Sequence, residues 1–568
     1  MNHKLTGSIA AAAVLGLGVA ACSSSPSSPG TSSSQGKPLV IETTALSPMV
    51  DNFNPFVSTS TAYTVHATDL YNLPLYVFDT LKPSQPPIPE LATGYSWSSG
   101  GRTLTVTIRS GVKWSDGKSV TASDVAYTFN LLVKDPALNI GWPQPTPLPA
   151  SATAPSASTA VLTFSQPQYA SLYDILQTVI VPEHVWSSVS NPATYTDAQP
   201  VSDGPYVLHQ FSPQGFTMTV NPDYYARSTL RVPEVDFPSY TSNANLVPPV
   251  ASGQIDWAGN SITGIQQNYL AKSTENHTWQ TSVPYLSDNN VVGLWFNVTK
   301  KPLNDPAVRQ AISYGIDRDQ LSVVGESDTE PVENTSSGLM LPADQSYLNP
   351  ALANDLPSGS DQAKVKSILT SDGYKMVGKF WEKSGQKIAF SIMDPVQYSD
   401  YYQDSQLIAT QLNAEGFDVT VDGIPGTNGG NVWSGNINSG DFSAAIHWGA
   451  QGLTPYFFYN NWMNYTQSAP IGKTAGGDWG RFDDPAAQAA LSKYASTNDA
   501  ATQAQAITQL ENIMSTQVPV APLLLGAAWA EFSTRDYTGW PSPSNQYMDP
   551  GPNMPEILYT VTQLKPVS

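Results

Sequence analysis

The chain has 568 residues, 40% of them hydrophobic and 10% aromatic, enough to bury a large core across several domains. Only 13% are charged, against about 25% in an average soluble domain, and Pro (47), Gly (40) and neutral polar residues take their place. A formal net charge of −20 repels nucleic-acid phosphates and anionic lipid headgroups, and a single cysteine, Cys22, excludes an internal disulfide or a Cys-based zinc site.

The first element in chain order explains that cysteine. Lys4 supplies a positive start, and the apolar run from Ile9 to Ala21 is too short to span a bilayer, which takes about 20 residues. It ends in Val19-Ala20-Ala21-Cys22, which resembles the bacterial lipobox, where small residues precede a cysteine that is lipidated and becomes the mature N-terminus. Residues 23–36 are Ser, Pro and Gly with no core-forming side chain, the composition of a flexible tether. The expectation is a signal peptide over 1–22, a tether over 23–36, and a folded body held outside the cytoplasmic membrane by acyl chains on Cys22.

The body opens with Leu39-Val40-Ile41, a short buried-strand pattern. Leu104, Val106 and Ile108 alternate along Gly100–Arg109 and predict a half-buried strand. Thr121 with Asp124 three residues later reads as a capping-box start to a helix whose apolar stripe is Val125, Phe129 and Leu132. Pro143–Pro155 reads as a surface loop, Ala160–Phe164 as a strand, and Gly204–Val220 as two strands about a turn at Pro213–Gly215. Helices are expected over Asp305–Leu321, Gln406–Gly416 and Ala500–Met514, and strands over Phe417–Val421 and Pro519–Leu525. This irregular alternation predicts α/β lobes with mixed sheets rather than a solenoid or propeller.

An ordered set of motifs then carries a resemblance. Pro89-Glu90-Leu91-Ala92 and Tyr95-Ser96-Trp97 lead into Val112-Lys113-Trp114-Ser115-Asp116-Gly117 and Thr121-Ala122-Ser123-Asp124-Val125. Gly204-Pro205-Tyr206, Asn221-Pro222-Asp223-Tyr224-Tyr225, Gly253-Gln254-Ile255-Asp256, Phe296-Asn297, Val308-Arg309-Gln310-Ala311, Ile316-Asp317-Arg318 and Pro519-Val520-Ala521-Pro522-Leu523 follow in order. Together they resemble the bacterial extracellular solute-binding proteins of family 5, the peptide- and oligosaccharide-type receptors of ABC importers. The resemblance implies a periplasmic-binding-protein-like class II clamshell with an extra inserted lobe, three lobes in all. Lobe I would comprise 37–75, 200–296 and the return 531–568, lobe II 76–199, and lobe III 297–530. The expected molecule is a monomer that captures an oligosaccharide or oligopeptide and docks on permease subunits, with the ATPase on a separate chain and no cofactor or metal.

Most motif residues read as structural: Trp114 as core, Asp116-Gly117 as a tight turn, Asp124 as a helix-start carboxylate, and Arg309 and Asp317 as an ion pair or caps. The ligand site is expected in lobe III. There Trp448–Pro455 occupies the place of a family segment whose aspartate, in peptide binders, holds the ligand's N-terminal ammonium; the matching residue is Gln451. A neutral amide suits hydroxyls better than a buried ammonium. Trp448, Tyr456, Trp462 and Tyr465 cluster nearby, and flat aromatic faces suit sugar rings. The tail Gly539-Trp540-Pro541, Asn545, Tyr547 resembles the oligosaccharide-binding branch. The candidate ligand contacts are therefore Trp448, Gln451, Tyr456, Trp462, Trp295 and Trp529, and the preferred ligand is a neutral oligosaccharide, with an oligopeptide as the alternative.

Enzymatic readings find less support. Gly117-Lys118-Ser119 and Gly472-Lys473-Thr474 lack the glycine five residues upstream that a P-loop needs, those places holding Val112 and Gln467. Neither a His-Glu-x-x-His nor a Gly-x-Ser-x-Gly motif occurs. Carboxylates paired only by the fold leave an exported glycoside hydrolase as the rival reading.

Overall fold

In the computed structural model, described residues are 36–43, 48–138, 148–240, 243–426, 429–450, 452–553 and 555–567. The lipobox, Cys22 and Gln451 lie outside them. Three large sheets organise the folded unit, Lys37–Ser568.

The first is a seven-stranded mixed sheet assembled from distant parts of the chain, in the order Asn276–His277, Glu531–Ser533, Trp257–Ala258, Leu39–Glu42, Glu234–Pro238, Gly215–Val220, Tyr206–Ser212. Leu39–Glu42 runs parallel to both of its neighbours, and the remaining pairs are antiparallel. The second is antiparallel and local: Ala92–Ser98, Thr103–Ile108, Thr159–Thr163, Ser151–Ser156. The third sets Asp418–Ile424, Ala389–Pro395, Ala444–Trp448, Ser287–Phe296 and Val520–Ala528 side by side. Each sheet has its own buried apolar cluster, with Leu104, Trp114 and Phe129 in one, Leu294, Ile312 and Leu412 in another, and Leu39, Phe216 and Trp257 in a third. This is the expected α/β architecture with mixed sheets.

Local signals account for the elements that position these sheets. The helix Ala122–Lys134 starts as its capping box demands: the Asp124 carboxylate accepts from the Thr121 amide at 2.8 Å and from the Glu183 amide at 3.0 Å. Gly117 takes φ +85 in the turn after Trp114, whose indole ring is fully buried. Asn221 of the Asn-Pro-Asp segment donates to the Gly204 carbonyl at 2.9 Å, so those two motif blocks brace each other. Arg309 and Asp317 are caps and not an ion pair. The Arg309 guanidinium donates to the Val518 carbonyl at 2.9 Å, closing the helix Ala500–Gln517, and Asp317 accepts from the Gln320 amide at 3.1 Å.

Two expectations are corrected. The helix expected over Asp305–Leu321 stops at Gly315; Ile316 and Asp317 are extended, and a short turn and a π-helical turn, Leu321–Gly325, follow. Asp317 is a better N-cap than helix interior, which divides the periodic pattern. The loop expected over Pro143–Pro155 contains the strand Ser151–Ser156. Pro155 is tolerated because that strand lies at the sheet edge and its register shifts between Thr153 and Ser156. The segment boundary read between 296 and 297 falls at the end of Ser287–Phe296, a strand hydrogen-bonded within the five-stranded sheet.

Gly204 offers a test of the Gly-Pro-Tyr block. A Cβ there would sit 2.6 Å from the Leu70 carbonyl oxygen, a backbone atom. Gly204→Ala should cost about 1–3 kcal/mol of stability, read from urea unfolding followed by tryptophan fluorescence; an unchanged midpoint would contradict this contact.

Candidate ligand cavity

Five separate stretches of chain line a small cleft whose free space is about 20 Å³, room for a water-sized occupant. Thr80 and Leu81 come from the loop between the strands Tyr76–Val77 and Ile88–Pro89. Asp288 and Asn289 come from the start of Ser287–Phe296, Met340 and Gly452 from loops beside the five-stranded sheet, and Asp549, Asn553 and Glu556 from the C-terminal segment. The chain brings these residues together from positions more than 400 apart, which only the return of the C-terminus to the first sheet allows.

That return is tightly held. Phe532 pairs with Trp257 across the sheet and stacks on Trp540 at 5.1 Å. The Trp540 indole donates to the Ser533 and Tyr537 carbonyls, and the Tyr547 hydroxyl to the Gly539 carbonyl at 2.9 Å. The Gly-Trp-Pro tail thus braces its own turn. The Trp257 indole donates to the Pro550 carbonyl at 2.9 Å, and the Gly551 amide to the Asp549 carboxylate at 2.9 Å, fixing the loop that carries Asp549.

The cavity wall is rich in acceptors. Asp549 is 4% exposed and its Oδ2 has no hydrogen-bond partner; Asp288 Oδ1 is likewise buried and unpartnered. Burial pushes both carboxyls up to about 6, the Gly551 amide opposing the shift at Asp549 and Asp79 adding to it. Burial, then Asp549, raises Glu556 as well. Among the described residues lining the cavity there is no Lys or Arg.

Of the predicted site residues, none within the described chain is among those lining the cleft. Gln451 lies outside the described residues, but its neighbour Gly452 lines the cavity. Trp448 is 47% exposed and lies against the His447 ring, with centroids 4.3 Å apart; His447 in turn stacks flat on Trp433. Tyr456 is half-buried and stacks on Tyr494 at 4.7 Å, while the adjacent Phe457 meets Tyr173 edge-on at 5.3 Å. Trp529 is half-buried, and its carbonyl lies against Gly551, beside Asp549. Trp295 and Trp462 are each 1% exposed inside one apolar cluster, Trp295 donating to the His447 carbonyl at 3.2 Å, so neither offers a ring face here. Sequence reasoning missed Asp288, Asn289, Asp549, Asn553 and Glu556. They stand singly in the sequence and carry no local pattern; the one available signal was their being carboxylates and amides in a chain poor in charge.

Three separately cored sheets and a small cleft lined by residues from distant parts of the chain set the frame for comparison with known proteins. The family model for bacterial extracellular solute-binding proteins, family 5 (middle region), matches residues 86–470, and the chain belongs to that family. It is 22% identical over 460 residues to the oligopeptide-binding protein OppA of Bacillus subtilis, spanning 76% of this chain and 78% of that protein. The mannohexaose-bound periplasmic oligopeptide-binding protein of Thermotoga maritima superposes with a TM-score of 0.81 at 23% identity, over 94% of this chain and 99% of that one. AppA of Bacillus subtilis, in complex with a nonapeptide, superposes with a TM-score of 0.72 at 17% identity, over 94% and 99%. Among the described residues no helix is long and apolar enough to cross a membrane.

The buried carboxyls make a prediction about pH. Besides the cavity pair, burial raises Glu42, Glu333 and Asp394 to about 8. A carboxyl whose folded pKa lies above its unfolded value stabilises the fold below the unfolded pKa, and that contribution is lost as pH rises through the folded one. The unliganded protein should therefore melt several degrees lower at pH 8.5 than at pH 5.5, measured by calorimetry in matched salt; a melting temperature that rises over this range would show that these carboxyls are solvated.

Proposed function

We propose that this chain is the capture receptor of a family 5 ABC import system, and that its preferred ligand is a short neutral oligosaccharide. The cavity carries this reading: its wall of Asp288, Asn289, Asp549, Asn553 and Glu556 accepts hydrogen bonds and holds no cation to attract an anionic guest. The half-exposed face of Trp448 and the half-buried rings of Tyr456 and Trp529 supply the flat surfaces that sugar rings pack against. The mannohexaose held by the Thermotoga maritima protein, on the same fold, supports it.

An oligopeptide is the second reading, favoured by the nonapeptide bound to AppA and by the name of OppA. In either case the lobes, with lobe II over 76–199 and lobe III over 297–530, close over the guest by hinge motion and present it unaltered to the permease subunits. The receptor works as a monomer outside the cytoplasmic membrane, tethered through 23–36 to a lipidated Cys22.

Calorimetric titration separates the ligands. Mannohexaose or cello-oligosaccharides should bind with micromolar or tighter affinity, and Trp448→Ala should weaken them by about tenfold or more. Binding of di- to nonapeptides alone, with no heat from any sugar, would overturn the oligosaccharide reading, and release of a chromophore from an aryl glycoside would overturn the receptor reading. For the anchor, Cys22→Ala expressed in a bacterial host should leave the protein unlabelled by radioactive palmitate and free of the membrane fraction. Equal labelling of the variant would place the lipid elsewhere.

A further inference from the structure

We propose that Glu326 and Asp404 share one proton, and that this proton locks the segment 321–333 onto the free edge of Val520–Ala528, a lock that opens in alkaline solution. The device lies apart from the cleft lining and does not depend on which guest the protein carries.

The two carboxyls come from different elements. Glu326 follows the π-helical turn Leu321–Gly325, and Asp404 stands on the buried face of the helix Ser399–Ala414. Gly325 lets them meet: a Cβ there would fall 1.8 Å from Asp404 Oδ1, so only a residue without one allows the turn to close on that carboxyl. Both side chains are buried, and neither Glu326 Oε1 nor either oxygen of Asp404 has a hydrogen-bond partner among the described groups that carry donors. What each carboxyl faces is the other. Two carboxylates so placed repel and leave their acceptors empty, whereas one bridging proton makes the pair a hydrogen bond carrying a single negative charge.

The surroundings favour the proton. Asp400 and Tyr401 face the pair from the same helix, Glu330 from the covering segment, and Asp394 from the end of Ala389–Pro395; Glu330 in turn feels Asp288. None of these is a cation. The Ser405 hydroxyl is engaged by Asp394 at 2.8 Å, and the Tyr401 hydroxyl by Glu330 at 3.4 Å. Among the described residues no three His, Cys, Asp or Glu side chains are placed to hold a metal ion in the proton's stead. Burial, then the charge of Glu330, accordingly raises both carboxyls well above the usual range.

The segment that carries Glu326 also covers the sheet edge. The Leu525 amide donates to the Pro331 carbonyl at 2.7 Å, the Glu333 amide to the Leu523 carbonyl at 3.0 Å, and the Ala527 amide to the Glu330 carboxylate at 3.1 Å. Ala527 and Ala528 pair with Asp288 and Ser287, at the start of the long strand Ser287–Phe296. When hydroxide takes the shared proton, two like charges are left buried between turn and helix, and their repulsion lifts the covering segment from that edge. Stability of this kind is complete at low pH and is lost as pH rises through the folded pKa.

Hydrogen exchange read by mass spectrometry on the full chain tests the lock, with labelling times scaled to the intrinsic exchange rate at each pH. Protection of 321–333 and 520–528 should fall about tenfold or more between pH 6 and pH 9.5 in the wild type. Glu326→Gln and Asp404→Asn each place an amide hydrogen where the proton stood. Both should keep wild-type protection at pH 6, with a native melting transition there, and lose most of the fall at pH 9.5. Protection that does not change with pH in the wild type overturns the lock. A fall of equal size in wild type and both variants assigns the effect to Glu330 or to the sheet as a whole and overturns it too, as does loss of protection in both variants already at pH 6.

Discussion

The pairing of Glu531–Ser533 with Trp257–Ala258 is the constraint on which the rest depends. It brings residues 531–568 back into the sheet that Leu39–Glu42 joins at the other edge of Trp257–Ala258. Two antiparallel rungs are weak alone, so aromatic packing reinforces them: Trp540 meets Phe532 at 5.1 Å and Trp257 at 5.5 Å. From this anchor the loop carrying Asp549 and the helix Glu556–Gln563 project to the cavity. Without the return strand, the cavity loses three of its polar wall residues together.

The same logic explains the edge of the five-stranded sheet. Val520–Ala528 is buried along its whole length although it pairs with one strand only. Its free edge is covered by the segment 330–333: the Leu525 amide donates to the Pro331 carbonyl at 2.7 Å, and the Ala527 amide to the Glu330 carboxylate at 3.1 Å. An open edge of such apolar sequence would be an aggregation hazard. Arg318, fully buried, closes the neighbouring gap by donating to the Pro522 carbonyl at 2.9 Å and the Ser313 carbonyl at 3.0 Å. The Ile-Asp-Arg block is therefore a brace between sheet and helix.

Much of this fold was legible because its signals are local. Thr121 with Asp124, the alternation of Leu104, Val106 and Ile108, and the turn at Gly215 each need only a few neighbouring residues to act. The motif order added the long-range arrangement by resemblance. The cavity was illegible for the complementary reason. Asp288 and Asp549 are ordinary surface-type residues in sequence, and they acquire their character only when chain closure removes water from both. The aromatic bias could not separate Trp448, 47% exposed, from Trp462, fourteen positions on and 1% exposed, since both sit in apolar sequence.

Desolvated carboxyls oppose folding at neutral pH, and a chain already at −20 has no electrostatic reason to bury more of them. Glu333 is compensated within the fold by the Thr335 amide at 2.8 Å and by the charge of Arg318. Its Oε2, like Asp549 Oδ2 and Asp288 Oδ1, has no hydrogen-bond partner, and the Gly551 amide donates to the other oxygen of Asp549. Donors arriving with a ligand are then worth more there than at a solvated surface, because they replace no existing bond. A group that supplies donors there stabilises the folded chain in proportion to its occupancy.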